Sequence, residues 1–596
     1  MDRKRPSFKL AVPSANRRIN VWYAVLIFIL IIIVGRLFYL QIVEHDHYRA
    51  AAIADQQKEY TIPAERGIIE ARQAGQTIPI VLNQKLYTLF ADPTFIKNAA
   101  VTAEKVAVVT HASTSQYQQL MQTKNTRYVV LAKKLTEAQN QQILGLKLPG
   151  VGTQAQDYRT YPQGSLSSQI LGFVNNDGQG EYGVEQAMNT QLAGKPGLLK
   201  AITDANGVPL VANRDNTQTN PVNGSNIVLT LDMGMQAQME KILAEEYQKT
   251  KSKGLSAVII DPNTGQVKAM ANYPTYNPSQ YQNVSDQSVF QDAAVANAIE
   301  PGSSMKNLTT AAALDMGVIQ PNTTFYDPAH WVVDGFNITD IEEDGGAGTK
   351  SIGDILNLSL NTGATWMLMQ MGGGQINQQA RTRWHDYMVN HYQLGKATGI
   401  EQGYESAGFV PSPTDGYALD LTYANTAFGQ GVTLTALQMA SALSSVINGG
   451  TYYQPQLVSQ VVSSSGKVTI KQSTVVRKNV VKPQVSQEMQ SLMEYVVAQH
   501  LNPGGFTYLN FPSNFIVGGK TGTAQVANPA GGYYNDKFNG TYAGFVGGDK
   551  PQYIIIVYNI EPNVAGYAGS YGGQPVFADL AHMLINGSYV TPKSGG

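Results

Sequence analysis

The sequence predicts a membrane-anchored protein of mixed α/β class, with a β-rich domain ahead of a larger domain in which an antiparallel sheet is flanked by helices. Three observations carry that expectation. One apolar run near the N-terminus is long enough to cross a bilayer. Short strand-like runs and turns fill the next stretch. Beyond residue 220, strand signals gather at the two ends of the remaining chain with helical stretches between, so first and last strands would share one sheet.

The apolar run is Val21 to Val43. As a helix it measures about 35 Å, against a hydrocarbon core of about 30 Å. Arg36 is its one charge and lies near the distal end, where its stem can carry the guanidinium to the interface. Trp22 and Tyr39 stand where interfacial aromatics are expected. Arg3, Lys4, Arg5, Lys9, Arg17 and Arg18 precede the run, so residues 1–20 are expected in the cytoplasm and the bulk of the chain outside. Ala50-Ala51-Ala52 lies too far past the run for a signal-peptide cleavage site, which favours an anchor.

Residues 44–220 read as an irregular, non-catalytic pedestal. Tyr128 to Leu131 is strand-like there, and Leu135 to Leu144 is polar-helical. Asn226 to Asp232 opens the larger domain, residues 221–590, followed by a helix over about Met233 to Lys251. Ala257 to Asp261, the turn Pro262 to Gly265 and Gln266 to Ala271 form a hairpin signal. Asn539 to Val546 and Tyr553 to Tyr558 are the late strands, and a helix over about Phe577 to Ile585 follows.

Composition narrows the function. A chain of 596 residues holds about three or four domains. Charged residues are 14% and the net charge is -1, so no basic surplus argues for nucleic acid. Cysteine is absent, which removes disulfides and thiolate chemistry. No His-Glu-x-x-His occurs among the eight histidines, and no metal or cofactor is expected.

Three short motifs then occur in order. Ser303-Ser304-Met305-Lys306 follows Pro301-Gly302 at a helix start, and a Ser and a Lys three apart share a helical face. A buried lysine beside a second cation can serve as base to such a serine. Ser464-Ser465-Gly466-Lys467 has the same pattern but reads as a Gly/Ser turn between strands. Ser359-Leu360-Asn361 falls in a helical stretch, Asp354 to Met371, expected to break near Gly363; its hydroxyl can relay a proton and its amide can hold a carbonyl. Lys520-Thr521-Gly522-Thr523 reads as strand, with a cation and two hydroxyls suited to a carboxylate. Gly522 would allow substrate backbone to approach. A phosphate loop ending at Lys520-Thr521 would need glycine where Asn514 stands.

With these motifs the chain resembles a class B penicillin-binding protein almost end to end. Phe290 to Ser303, Phe428 to Thr433 and Asn448-Gly449-Gly450 are similar to the family's transpeptidase body. Arg66-Gly67-Ile68-Ile69, Arg159 to Pro162 and Gly183-Val184-Glu185 resemble its pedestal (dimerisation-type) signatures. The spacing of those signatures looks more like the septal, cell-division branch than the elongation branch. The resemblance implies a D,D-transpeptidase that crosslinks peptidoglycan stem peptides and is acylated by β-lactams. Ser303 would be the nucleophile, Lys306 its base, and Ser359 the proton relay to the leaving group. Asn361 would orient the donor, while Lys520, Thr521, Gly522 and Thr523 would form the edge that holds its carboxylate. Backbone N–H groups of Ser303 and Thr523 would form the oxyanion hole. The resemblance also implies a membrane glycosyltransferase and other division proteins as partners. Ile299, Asp292 and Phe428 depart from the family's usual residues, at positions expected to touch packing more than chemistry. Rival readings are a membrane-bound β-lactamase or β-lactam sensor and a non-catalytic division scaffold. A class A hydrolase would need Glu-x-x-x-Asn, which Glu401, Glu405, Glu488 and Glu494 all lack.

Overall fold

The computed structural model describes residues 15–202, 216–340, 346–501 and 505–595. Arg3, Lys4, Arg5 and Lys9 of the expected cytoplasmic tail lie outside them. The chain divides into two units, residues 1–64 with 195–222 and residues 65–194 with 223–596.

In the first unit, helix Ala15–Phe38 runs on through a π-helical turn, Tyr39–Val43. Within it Ile19–Val43 has a mean hydropathy of 2.6 and exposes its apolar side chains, so it is long and apolar enough to span a membrane. The Arg36 guanidinium lies 5.5 Å from the centre of the Tyr39 ring. After helix His45–Gln56, strand Gln57–Ile62 pairs antiparallel with Gly197–Ile202, which pairs with Thr217–Thr219.

The second unit carries two large sheets. One has five antiparallel strands in the order Val267–Tyr273, Gly254–Ile260, Pro551–Ile560, Tyr533–Gly547, Ile516–Ala527. Its inner strands are apolar at consecutive positions because both faces are covered. Leu255, Ala257 and Ile259 pack with helices Met233–Thr250 and Gln574–Asn586, while Val258 and Ile260 join the larger core on the other face. That larger core includes helix Ala436–Ile447, buried along its whole length.

The second sheet corrects the expectation for Asn226–Asp232. This strand does not join the five-stranded sheet. It pairs in parallel with Ile69–Gln73 (Ile227 opposite Ile69) and antiparallel with Val458–Val462. One mixed seven-stranded sheet therefore contains segments from both the expected pedestal and the larger domain. Local apolar alternation marks a strand and leaves its partner open. A smaller correction falls at Leu135, which ends strand Val129–Leu135; Thr136 then caps helix Glu137–Gly145 with Gln139 in a reciprocal pair. The Ser464 to Lys467 run is the turn between Val458–Val462 and Val468–Ile470, as read from sequence.

The pedestal signatures converge on one carboxylate. Glu185 is fully buried and accepts from Arg66 Nε at 2.8 Å and from Arg159 Nε at 2.9 Å. Asn189 and Asn83 accept one further donation each, from Arg66 and Arg159, at 2.8 and 2.7 Å. Two cations around one carboxylate, each hydrogen-bonded further, satisfy the condition for ion burial.

Candidate active site

The Ser303 turn is held from three sides. Gly302–Met305 forms a 3₁₀ turn that runs into helix Lys306–Asp315. Gly302 has φ of +57° and its N–H donates to the Gly429 carbonyl at 3.0 Å. The Pro301 carbonyl accepts from Ser304 Oγ at 2.8 Å and Thr541 Oγ1 at 2.7 Å. Glu300 Oε1 accepts from the Gly431 N–H at 2.8 Å and from the Tyr533 hydroxyl at 2.9 Å. Burial raises the Glu300 carboxyl above its ordinary range, against those two donations.

Lys306 is fully buried, and its amine is the meeting point of the first two motifs. Nζ donates to Ser303 Oγ at 3.0 Å, Asn361 Oδ1 at 2.9 Å, Ser359 Oγ at 3.3 Å and the Ser359 carbonyl. The helical stretch around Ser359, expected to break near Gly363, is two helices, Ile352–Asn357 and Asn361–Met371. The break lies at the motif itself, where Ser359 has φ of +59°. That left-handed conformation is costly for a residue other than glycine and persists only where its surroundings hold it. Gly363 is helical, with Ile355 packed where a Cβ would go.

The second of these helices begins without a side-chain cap of its own, since Leu360 has nothing to offer. Asp340, which follows strand Phe336–Thr339, supplies one. It accepts from the Asn361 and Thr362 N–H groups at 2.5 and 3.0 Å, and from Thr362 Oγ1. Burial raises its carboxyl, while the Thr362 hydroxyl and N–H oppose that shift.

Lys520, Thr521, Gly522 and Thr523 lie on strand Ile516–Ala527, as expected. Lys520 is buried, with Nζ 3.1 Å from the Thr521 carbonyl and 3.3 Å from Thr521 Oγ1. Thr523 Oγ1 accepts from the Gly569 N–H at 3.0 Å. The close approach at Gly522 is to the Ser303 turn rather than to the groove: a Cβ there would sit 2.8 Å from the Ser304 nitrogen.

A groove of about 540 Å³ joins all three motifs, lined by Ser303, Ser359, Asn361, Thr521 and Thr523. Phe428 also lines it, so this departure borders the chemistry and is not confined to packing. Gln430, from the Phe428 to Thr433 stretch, lines it too, as do His500, Asn357 and Tyr567, which carry no local sequence signal. Burial, with Lys520 nearby, pushes the His500 imidazole down to about 4, so it is neutral at neutral pH. Among the described lining residues there is no carboxylate. Glu401 and Glu405 accept backbone N–H groups of Leu457 and Thr398, away from the groove.

Comparison with known proteins agrees with this geometry. Residues 255–582 match the penicillin-binding protein transpeptidase domain, and residues 61–229 match the penicillin-binding protein dimerisation domain. The chain is 31% identical to penicillin-binding protein PbpB of Mycolicibacterium smegmatis over 77% of its length and 69% of that protein. It is 25% identical to the peptidoglycan D,D-transpeptidase FtsI of Escherichia coli over 94% of its length and 90% of that protein. Its fold is similar to that of penicillin-binding protein 3 of Mycobacterium tuberculosis, solved in complex with aztreonam, with a TM-score of 0.67, 24% identity, and coverage of 89% of this chain and 98% of that one. A serine–lysine pair facing a lysine-bearing strand, inside a domain match that spans more than half of the sequence, places this chain in the penicillin-binding protein transpeptidase family.

Proposed function

We propose that this protein is a serine-type peptidoglycan D,D-transpeptidase of the cell-division branch, anchored by Ile19–Val43 with its N-terminus in the cytoplasm and its catalytic part outside. The observation that carries the reading is the amine of Lys306, within hydrogen-bonding reach of Ser303, Ser359 and Asn361 at once. Lys306 in its neutral form takes the Ser303 proton as Oγ attacks the penultimate D-Ala carbonyl of a stem peptide. Ser303 and Thr523 N–H groups hold the oxyanion. The C–N bond breaks, and Ser359 passes the proton to the departing D-Ala nitrogen. The Lys520 ammonium and the Thr521 and Thr523 hydroxyls bind the terminal carboxylate, and Asn361 orients the donor amide. An amine of a second stem then attacks the ester, its proton returns through the same groups to Ser303, and a crosslink remains. A membrane glycan-polymerising glycosyltransferase is the partner this reaction requires, since the crosslinked strands must first be made.

β-Lactams acylate the same serine in this reading. With no carboxylate among the described lining residues, the groove offers no general base of the class A hydrolase kind for a deacylating water, which supports slow release over rapid turnover. The test is fluorescent penicillin labelling of the full chain and of Ser303→Ala. Covalent, slowly reversing label that the variant lacks is expected. Rapid penicillin turnover would make the protein a hydrolase, and folded protein that never acylates would make it a scaffold.

A further inference from the structure

His500 stands between two of the three motifs and belongs to neither. It lies in the last turn of helix Pro483–Leu501, shares the groove lining with Ser303 and Ser359, and is 3.0 Å from Gln574 through Nδ1. Gln574 is fully buried and its Oε1 accepts from the Tyr508 hydroxyl at 3.2 Å, so its Nε2 is the donor toward His500. Nδ1 is then the acceptor, and the imidazole proton sits on Nε2. The ring shares the groove wall with Asn357, the last residue of helix Ile352–Asn357, where carbonyls lack helical partners, and the Asn357 backbone favours a proton on the ring. Two residues later the chain turns through Ser359 in its left-handed conformation. The cation facing the ring is Lys520, whose proximity disfavours a second charge.

We infer that His500, with its proton on Nε2, is a positioning residue that links the Asn357 carbonyl to buried Gln574 and so holds Ser359 in register with Lys306 and Lys520. The inference rests on the acyl-transfer reading above. It gives the strained Ser359 turn an anchor on its N-terminal side, to match Asp340 on its C-terminal side. A positional role has a particular kinetic signature. The groove still admits the ligand, and the bond-making step slows because the relay hydroxyl is displaced.

The experiment separates penicillin binding from acylation by stopped-flow labelling of the full chain. His500→Ala is expected to lower the acylation rate constant tenfold to a hundredfold with the dissociation constant of the non-covalent complex changed less than threefold. His500→Gln, whose amide reaches the place of Nε2 and still donates to Asn357, is expected to recover most of the rate. Active-site titration of each variant counts competent molecules. If His500→Ala merely lowers that count while the remaining molecules react at the wild-type rate, the role is structural and the inference is overturned. A folded His500→Gln as slow as His500→Ala also overturns it. Unlabelled wild type would instead defeat the acyl-transfer reading, whereas labelled wild type with an equally fast His500→Ala defeats this inference alone.

Discussion

Gly522 faces Pro301 with no side chain between them: a Cβ at position 522 would stand 2.5 Å from the Pro301 carbonyl oxygen. The same Cβ would meet Thr541 Oγ1 at 2.3 Å. Through this contact of backbone on backbone, the strand that bears Lys520 seats the turn that bears Ser303.

Gly522→Ala must therefore push strand and turn apart. Over-packing of this kind costs about 1–3 kcal/mol, and a displacement of about 1 Å can slow chemistry about a hundredfold. Thermal unfolding should show a lower midpoint, and penicillin acylation should slow at least about tenfold. A variant with wild-type values in both would show that the backbone yields without consequence.

Lys306→Met keeps the buried stem and removes the amine. Loss of a general base costs typically about 10²- to 10⁴-fold. The acylation rate should fall in that range, with near-native circular dichroism, because no ion is left unpaired. Asn361→Ala removes one partner of the amine and part of the donor's grip, and should cost less, on the order of tenfold to a hundredfold. Equal losses in the two variants would argue that the amine is not the base.

Glu185→Ala strands two guanidiniums, on Arg66 and Arg159, in a buried place. Breaking a buried ion cluster by removing one partner costs about 3–5 kcal/mol. Chemical denaturation should show a loss of that size, while molecules that remain folded acylate at the wild-type rate. A loss below about 1 kcal/mol would mean that water reaches the cluster.

Asp292 ties stability to pH. It is buried, and burial pushes its carboxyl up to about 6 despite donation from Asn272 at 2.7 Å, the Ala294 N–H and Gln402. A raised folded-state value means stability that is fully present below the unfolded value near 3.8 and is lost as pH rises through about 6. Asp292→Asn removes that ionisation. Its stability relative to wild type should rise between about pH 4 and pH 6 and level off above, by on the order of 1–3 kcal/mol in all. A difference that does not vary with pH would show that Asp292 does not titrate there.

Much of this protein is legible locally. An apolar run of spanning length, strands such as Gly254–Ile260 and Pro551–Ile560, and a serine and lysine one helical turn apart are properties of neighbouring residues. The order of the three motifs along the chain identifies the chemistry before any contact is known. Where the reading strayed, the deciding contact was remote. Asn226–Asp232 is a strand by its own pattern, but Ile69, over 150 residues earlier, determines which sheet it joins. The break at Ser359 looked as if it should fall at Gly363, since glycine is the local helix-breaker. It falls at Ser359 because Lys306 and Asp340 grip that segment from elsewhere in the chain.

By itself, then, the sequence determined the apolar helix of spanning length, the mixed α/β class, the three motifs and the family they resemble, because each is written in short-range spacing. The tertiary structure alone decided which strands share a sheet, how Gly522 seats the Ser303 turn, that Asp340 caps the helix after Ser359, and that His500 shares a groove with Ser303 and Ser359. Those are contacts between residues far apart in the chain, and only long-range packing brings such groups within hydrogen-bonding reach.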